Sequence, residues 1–168
     1  FSDRIEKFVP PRKGRRHVLR VLRELLYFKP EGRGTDIAGA LEYLARVVRR
    51  RAVVFVVSDF LGDGYEKALA VAGRRHDTVA IRMSDPREHQ LPAIGYLELE
   101  DAETGEQVTV DVSDPAFRAA FERDVAETRA FRERQFRKTR VDVIEITTDH
   151  PYADRLMRFF RQRAKRFR

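Results

Sequence analysis

Residues 52–59 are Ala-Val-Val-Phe-Val-Val-Ser-Asp, an unbroken apolar run of β-branched and aromatic side chains that stops at the carboxylate of Asp59. Such a run is typical of a strand buried on both faces at the centre of a parallel sheet. Ligands of open α/β sheets gather at the carboxyl ends of these strands, which makes Asp59 a candidate binding residue. An equally good interpretation is that Asp59 only caps the turn into the next helix.

Helices and strands alternate on both sides of this strand. The patterns of apolar residues predict, in chain order, a short edge strand at residues 4–9, a helix with its apolar stripe at 18–26, a helix at 37–48, the strand at 52–59, a helix at 65–75, a strand at 77–83, a β-hairpin at about 94–112, a long helix from Pro115 to about Lys138, a strand at 141–147 and a C-terminal helix. Strand, helix and strand at 52–83 form a βαβ unit with a right-handed crossover. The predicted fold class is therefore α/β.

The composition describes a soluble, globular chain. Its 168 residues are 42% hydrophobic and 36% charged, which is enough to bury a core in a single domain spanning residues 1–168. No stretch approaches the roughly 20 apolar residues of a membrane span. The absence of cysteine excludes disulfides and thiolate metal sites and is typical of a reducing compartment, so we expect a cytoplasmic location.

The charge is distributed unevenly along the chain. Residues 1–51 carry 14 basic and 6 acidic side chains, residues 52–150 carry 13 and 20, and residues 151–168 carry 7 and 1. A basic terminus can attract nucleic acid, although Arg-rich helices are more often solvated surfaces. The candidate nucleic-acid residues lie on the last helix and are Arg155, Arg158, Arg161, Arg163, Lys165 and Arg166.

The loop Glu31-Gly32-Arg33-Gly34-Thr35-Asp36 leads into the second helix. Thr35 or Asp36 can cap that helix by accepting a hydrogen bond from a backbone N–H group. The glycines do not fit G-x-G-x-x-G, and no G-K-[ST] follows, so we exclude a dinucleotide or Walker-type site.

Catalytic patterns are weak in this sequence. The four histidines stand at 17, 76, 89 and 150, without the spacing of a zinc site, and His76 is predicted to lie at a helix end, where a positive charge suits the helix dipole. A metal-dependent hydrolase would have to use Asp59, Asp63 or Asp85. No nucleophile with an adjacent base is identifiable from spacing, so this alternative has little support.

Three segments together resemble one known family. They are Phe1-Ser2-Asp3-Arg4-Ile5-Glu6, the loop from Glu31 to Ile37, and the strand end Val57-Ser58-Asp59-Phe60. The chain resembles the bacterial domain of unknown function numbered fifty-eight, whose members look like a von Willebrand factor A domain. The resemblance implies a three-layer, doubly wound, mainly parallel sheet of Rossmann-like type, with the hairpin at about 94–112 as an insertion. It also implies a MoxR-type AAA+ ATPase as the partner.

Domains of that type hold a divalent cation through a D-x-S-x-S loop, a threonine before a helix and an aspartate after a buried strand. By resemblance, Thr35 matches the threonine and Asp59 the aspartate. Mg²⁺ prefers such oxygen ligands in an octahedron, with one position left for a carboxylate of the partner. This sequence contains no D-x-S-x-S, and we expect the strand that carries it to precede Phe1 in a longer protein. Mg²⁺ binding by this chain is therefore expected to be weak or absent.

The missing first strand would lie beside the strand at 52–57. We expect its absence to leave an unpaired edge that recruits a second copy of the chain or causes a rearrangement of the chain's own strands. The leading functional hypothesis is a non-enzymatic, protein-binding module of von Willebrand A type, cation-assisted when the whole protein is present. Nucleic-acid binding and metal-dependent hydrolysis are the alternatives.

Overall fold

A computed structural model of the chain describes residues 1–101, 105–139 and 141–166, the side chain of residue 166 excepted. Its elements are α1 (Arg15–Tyr27), α2 (Ile37–Val47), β1 (Val53–Ser58), α3 (Glu66–Arg75), β2 (Asp77–Ser84), a one-turn 3₁₀ helix (Pro86–Glu88), β3 (Tyr96–Glu100), β4 (Gln107–Asp111), α4 (Pro115–Thr139), β5 (Asp142–Thr147) and α5 (Tyr152–Arg166). No helix in the described ranges has the length and apolar character needed to cross a membrane. The predicted helices and the strands predicted at 52–59, 77–83 and 141–147 are confirmed to within a few residues.

The main sheet has three parallel strands in the order β1-β2-β5. Phe55 is paired with Val79 across the first ladder, and Ile81 with Ile144 across the second. The prediction of an α/β fold with a parallel sheet is therefore confirmed, and β1-α3-β2 is the predicted βαβ unit. The doubly wound, three-layer arrangement stays a prediction.

Helices pack against both faces of the sheet because successive side chains of a strand point to opposite faces. On one face, Val56 of β1 and Ala80 of β2 join a buried cluster with residues of α2, α3 and α4. On the other face, Val79 and Ile144 pack with Leu156 and Phe159 of α5. The carboxyl ends of the strands are thus held in one rigid, close-packed layer.

The predicted burial of β1 on both faces was wrong. Among the described residues β1 pairs on one side only, with β2, which agrees with the unpaired edge expected beside the strand at 52–57. Val53, Phe55 and Val57 are 59%, 44% and 54% exposed, whereas Val56 on the opposite face is buried. The continuous apolar run arises because one face packs on helices while the other is left uncovered, and sequence alone does not distinguish this from burial on both faces.

Residues 4–9 were predicted to form a strand, and this was wrong. The segment alternates in polarity but has no strand beside it in the described structure. Phe8 packs edge-on against Tyr43 of α2, with ring centroids 5.8 Å apart, and Glu6 bonds to the loop that follows α1. The alternation therefore reflects packing against a helix and a loop.

The hairpin predicted at about 94–112 is confirmed. β3 and β4 pair in antiparallel fashion as a separate two-stranded sheet, with Leu97 opposite Val110. Val112 closes its base by donating a backbone hydrogen bond to Gly95 over 2.8 Å. Of the predicted turn, Gly105 adopts a positive φ of 75°, and residues 102–104 lie outside the described residues.

Two predicted apolar stripes are less buried than expected. On α1, Val18, Leu19, Leu22, Leu25 and Leu26 are all exposed, by 49–76%. On α4, Phe121, Val125 and Thr128 are half-buried but Phe117 and Phe131 are exposed, and the buried residues are Phe136 and Thr139. Helical periodicity identifies an apolar face, but it does not show that a neighbouring element covers that face.

Candidate functional site

Two loops meet at the carboxyl end of β1. The first is the loop 31–36 before α2, and the second comprises residues 59–64 between β1 and α3; together they are called the carboxyl edge below. A Cβ atom placed on Gly62 would lie 3.8 Å from the carbonyl oxygen of Thr35, so the backbones are in near contact. Thr35 and Asp59 are both solvent-exposed. Residues 24 positions apart in the sequence are thus brought to the same edge.

Two hydrogen bonds of Asp36 fix the end of the first loop that leads into α2. Asp36 donates its backbone N–H group to the carbonyl oxygen of Ser2 over 2.8 Å, and its carboxylate accepts a bond from the Gly39 N–H group, also over 2.8 Å. Asp36 is therefore the N-cap of α2, which settles one of the two predicted choices.

Glu6 anchors the start of the same loop. One oxygen of its carboxylate accepts bonds from the backbone N–H groups of Gly32 (2.6 Å) and Glu31 (3.1 Å) and from the hydroxyl of Ser2 (2.7 Å). The Gly32 N–H bond is the main reason that the pKa of Glu6 lies below its usual value, with the Ser2 hydroxyl next. A Cβ at Gly32 would collide with the side chains of Asp3 and Ser2, so these side chains would have to move to admit any larger residue beside this anchor.

The second loop begins with a tight turn at Asp59. The Ser58 hydroxyl accepts a bond from the Phe60 N–H group over 3.1 Å, and the Asp59 carboxylate accepts one from the Leu61 N–H group over 3.2 Å. Asp59 therefore does form the turn that the alternative interpretation expected. Its position at the exposed edge beside Thr35 is compatible with a binding role as well.

Phe60 holds this turn against the core. Its φ angle of 58° lies in the left-handed region, which costs a non-glycine residue about 1 kcal/mol. Its ring is fully buried and meets Tyr65 and Phe136 edge-on, with centroids 5.4 and 5.1 Å apart. Strained residues that are held by good packing are frequent at functional sites.

A cleft of about 200 Å³ opens beside Asp59, between β2 and α4. Its lining includes Arg82, Asp124, Arg129 and Arg132, which sequence analysis did not single out. The Arg82 side chain is 6% exposed and its guanidinium donates to Glu145 over 2.6 Å, while Arg129 reaches the second oxygen of that carboxylate over 3.4 Å. The one available sequence signal was an arginine inside the buried strand Thr-Val-Ala-Ile-Arg-Met.

The oxygen ligands present do not make a complete cation site. Mg²⁺ takes six ligands in near-octahedral geometry. Thr35 and Asp59 supply one hydroxyl and one carboxylate, three side-chain oxygens at most, and the described residues contain no group of three or more His, Asp or Glu that could hold a metal. The donor set does not fit a resident metal ion, and weak or absent cation binding stays a prediction.

The other predicted binding residues have separate positions. On α5, Arg163 pairs with Asp77 and with Asp142, and Arg155 donates to the backbone carbonyl of Glu145 over 2.8 Å, so both anchor the helix. Arg158, Arg161 and Lys165 share one exposed surface of that helix, and the side chain of Arg166 lies outside the described residues.

The remaining hydrolase candidates are Asp63, which shares the β1–α3 loop with Asp59, and Asp85, which follows β2. Asp85 accepts bonds from the Thr148 hydroxyl (2.6 Å) and the Arg87 N–H group (2.9 Å), the first of which is the main cause of its lowered pKa. It therefore shapes the turn after β2. Asp63 is exposed in the β1–α3 loop.

His76 is the C-cap of α3, as predicted, but its predicted positive charge is not supported. The side chain is 1% exposed, and neither ring nitrogen has a hydrogen-bond partner among the described residues. Burial, aided by the neighbouring Arg75, lowers the pKa of His76. The neutral imidazole is thus the favoured form.

Comparison with known proteins gives one family match and several relatives. The family model described as Protein of unknown function DUF58 matches residues 1–131. Uncharacterized proteins of Mycobacterium bovis and Mycobacterium tuberculosis are each 34% identical over 160 residues, covering 94% of this chain and 50% of their own length. An uncharacterized protein of Mycobacterium avium is 33% identical over 162 residues, with 94% of both chains covered. The chain spans about half the length of the first curated relatives it matches, and no solved structure matches it.

Proposed function

The chain belongs to the family described as Protein of unknown function DUF58, and on this basis we propose that it is a non-enzymatic protein-binding module of von Willebrand A type. The observation that carries the proposal is the near contact of the Thr35 and Gly62 backbones, which gathers Thr35 and Asp59 at the carboxyl edge of a parallel sheet. Open α/β sheets bind their ligands at this edge.

The build of the carboxyl edge supports binding more than catalysis. Its two loops are fixed by Glu6, Asp36 and Phe60, so a partner meets a surface that is already ordered and loses little entropy on docking. Thr35 and Asp59 are exposed and offer an oxygen surface to a partner. The carboxylates of Asp59 and Asp85 are both engaged in turns, which favours a positioning role over nucleophilic chemistry.

The partner we propose is a MoxR-type AAA+ ATPase, on the strength of the family resemblance. A cation would bridge the two proteins only when further ligands come from elsewhere, because this chain supplies Thr35 and Asp59 alone of the family's motif. The proposal therefore predicts that contact made by this chain depends on its loops and only slightly on Mg²⁺.

Biolayer interferometry with the MoxR-type ATPase of the same genome tests the proposal. Thr35→Ala and Asp59→Asn should each weaken binding by about tenfold or more, as expected of residues at the centre of an interface. Asp59→Asn keeps the oxygen that accepts the Leu61 N–H bond, so the turn is preserved. Thr109→Ala, an exposed change on the hairpin, is the matched control and should leave binding unchanged.

Each possible result of the binding experiment leads to a different conclusion. Binding by the wild type that neither carboxyl-edge variant weakens would move the interface elsewhere, and the absence of binding by the folded wild type would remove the ATPase as partner of this chain. Addition of EDTA should change the affinity little. A large loss with EDTA would show a functional cation site and contradict the expected weak metal binding.

Nucleic-acid binding is the second candidate, favoured only by the exposed surface that Arg158, Arg161 and Lys165 share on α5. Three phosphate contacts to duplex DNA would give a slope of about −2.7 in a plot of log K against log salt concentration. A titration at several salt concentrations that shows no such slope excludes it. No contact in the described residues favours a hydrolase.

A further inference from the structure

Arg82 is a buried cation in β2, the strand between β1 and β5. Its side chain is 6% exposed, and one terminal nitrogen donates to Glu145 over 2.6 Å. A guanidinium carries five N–H donors in a fixed fork, and the other donors of Arg82 have no acceptor among the residues that the structure describes. Unpaired donors of a buried cation are costly, so Arg82 is suited to a ligand that supplies oxygen acceptors.

Arg132 of α4 brings a second guanidinium to the same place. It lines, with Arg82, the cleft of about 200 Å³ beside Asp59, which is called the arginine cleft below. Arg132 is half-buried and makes no ion pair within the described ranges. Burial chiefly, and Glu66 next, raise the pKa of the Tyr65 hydroxyl, whereas the charges of Arg132 and Arg82 both oppose that rise. Both guanidiniums therefore act on one hydroxyl, and an anion between them would relieve the repulsion of two like charges.

The ion pairs below α4 leave the inner part of the arginine cleft positive. Glu145 is shared, because Arg82 donates to one of its oxygens and Arg129 approaches the other over 3.4 Å. Arg129 also pairs with Glu133 over 3.2 Å. Two carboxylates thus offset the charges of Arg82 and Arg129, and the charge of Arg132 is left over.

The rest of the lining indicates which kind of anion fits. Phe121 and Val125 are half-buried apolar residues that suit the methylene groups of a side chain better than an inorganic ion. The carboxylates of Asp59, Glu88 and Asp124 are exposed members of the lining, and they repel a dianion such as phosphate about twice as strongly as a monoanion. Pockets for small-molecule ligands have volumes of roughly 300–1,000 Å³, so a cleft of about 200 Å³ has room for one side chain.

We propose that the arginine cleft receives the carboxylate of a glutamate or aspartate side chain of the protein partner, with Arg132 and Arg82 as its hydrogen-bond donors. Guanidinium and carboxylate match in geometry and form strong, charge-assisted pairs. The inference rests on the proposed function, because Asp59 belongs both to the carboxyl edge and to the lining of the cleft. A partner docked on that edge therefore reaches the cleft.

A titration of this chain alone with sodium acetate tests the cleft without any partner. Sodium chloride is exchanged for acetate so that the ionic strength stays constant. The Nε–H signals of Arg82 and Arg132 in ¹⁵N NMR spectra should shift and saturate with a dissociation constant on the order of 10 mM, the weak affinity of a single carboxylate pair. Arg132→Gln should weaken acetate binding by about tenfold or more. Circular dichroism checks that this variant is folded.

Arg134→Gln is the matched control for Arg132→Gln. Arg134 is an exposed arginine of the same helix that lies outside the lining of the cleft, so its loss changes the net charge equally and should leave acetate binding unchanged. In the interferometry assay with the partner, Arg132→Gln should weaken binding about tenfold and Arg134→Gln should not. Acetate at 100 mM, compared with chloride at 100 mM, should weaken binding of the wild type by up to about tenfold through competition.

The two assays separate this inference from the proposed function. Acetate binding that Arg132→Gln weakens, together with weaker partner binding by the same variant, supports the inference. A folded chain without an acetate response overturns the inference but leaves the proposed function standing if the partner binds. Acetate binding without any partner binding removes the proposed function and, with it, the source of the carboxylate.

Three further results would overturn the carboxylate site itself. Equal loss of acetate binding in Arg132→Gln and Arg134→Gln would show an adventitious ion only. Inorganic phosphate that binds more than tenfold more tightly than acetate would make the cleft a phosphate site. Normal partner binding by Arg132→Gln would place the acidic side chain of the partner elsewhere.

Discussion

The left-handed conformation of Phe60 leads to a prediction about the order of two variants. Replacing Phe60 by alanine removes a fully buried ring and its contacts with Tyr65 and Phe136, a change that costs about 3–5 kcal/mol of unfolding free energy in protein cores. Replacement by glycine removes the same ring. Glycine, however, adopts a φ of 58° without the penalty of about 1 kcal/mol that alanine keeps.

Because the freedom of glycine in the unfolded chain normally makes it the worse residue by roughly 0.5–1 kcal/mol, we expect Phe60→Gly to be more stable than Phe60→Ala by up to about 0.5 kcal/mol, the reverse of the usual order. Urea denaturation near 15 °C, where stability is greatest, measures both variants against the wild type. Phe60→Leu, which keeps an apolar side chain of intermediate size, provides a third point with a smaller loss. If Phe60→Ala proves the more stable of the pair, the turn does not hold this residue in the left-handed region and the reasoning fails.

Three further predictions concern burial and titration. The stability of the wild type should fall as the pH drops below about 6.5, because burial lowers the pKa of His76 and the unfolded chain then binds a proton that the folded chain does not. Urea midpoints at pH 7.5, 6.5 and 5.5 measure this fall. In His76→Phe, the part of the fall that His76 causes should be absent. Gly32→Ala should lower the thermal midpoint by a few degrees, because the new methyl group displaces the anchoring side chains. Gly34→Ala should not lower it, because a Cβ at Gly34 makes an ordinary contact at 3.5 Å. Equal effects of the two changes in calorimetry would contradict this prediction. Leu69→Ala in the buried face of α3 should lower the free energy of unfolding by about 2–5 kcal/mol. Leu26→Ala on α1 should lower it by less than about 0.5 kcal/mol, because Leu26 is 76% exposed. An equal loss in both variants would show that α1 is covered in solution.

Much of the local structure could be read from the chain itself. The period of apolar residues identifies α2, α3 and the parallel strands because burial of one helix stripe or one strand face imposes that period. The family match at residues 1–131 confirms the resemblance found in the quoted segments. The von Willebrand A relationship, the ATPase partner, the metal residues and the cytoplasmic location stay predictions.

The candidate site was only partly accessible to the same reasoning. Asp59 could be found because it ends an apolar run, and Asp36 because capping needs a short acceptor before a helix. Arg82 and Glu6 were missed, since the meaning of each depends on a partner 63 or 26 residues away. A pattern of neighbouring residues does not reveal a hydrogen bond between residues so far apart in the sequence.

Composition and periodicity alone determined that this is a mixed α/β chain with parallel strands and a hairpin, because those features follow from interactions between near neighbours. Only the tertiary structure decided that one face of β1 is uncovered, that residues 4–9 form no strand and that the face of α1 is uncovered. The physical reason is that an apolar residue gains the same transfer free energy whichever surface covers it, so its sequence context does not say whether a cover is present.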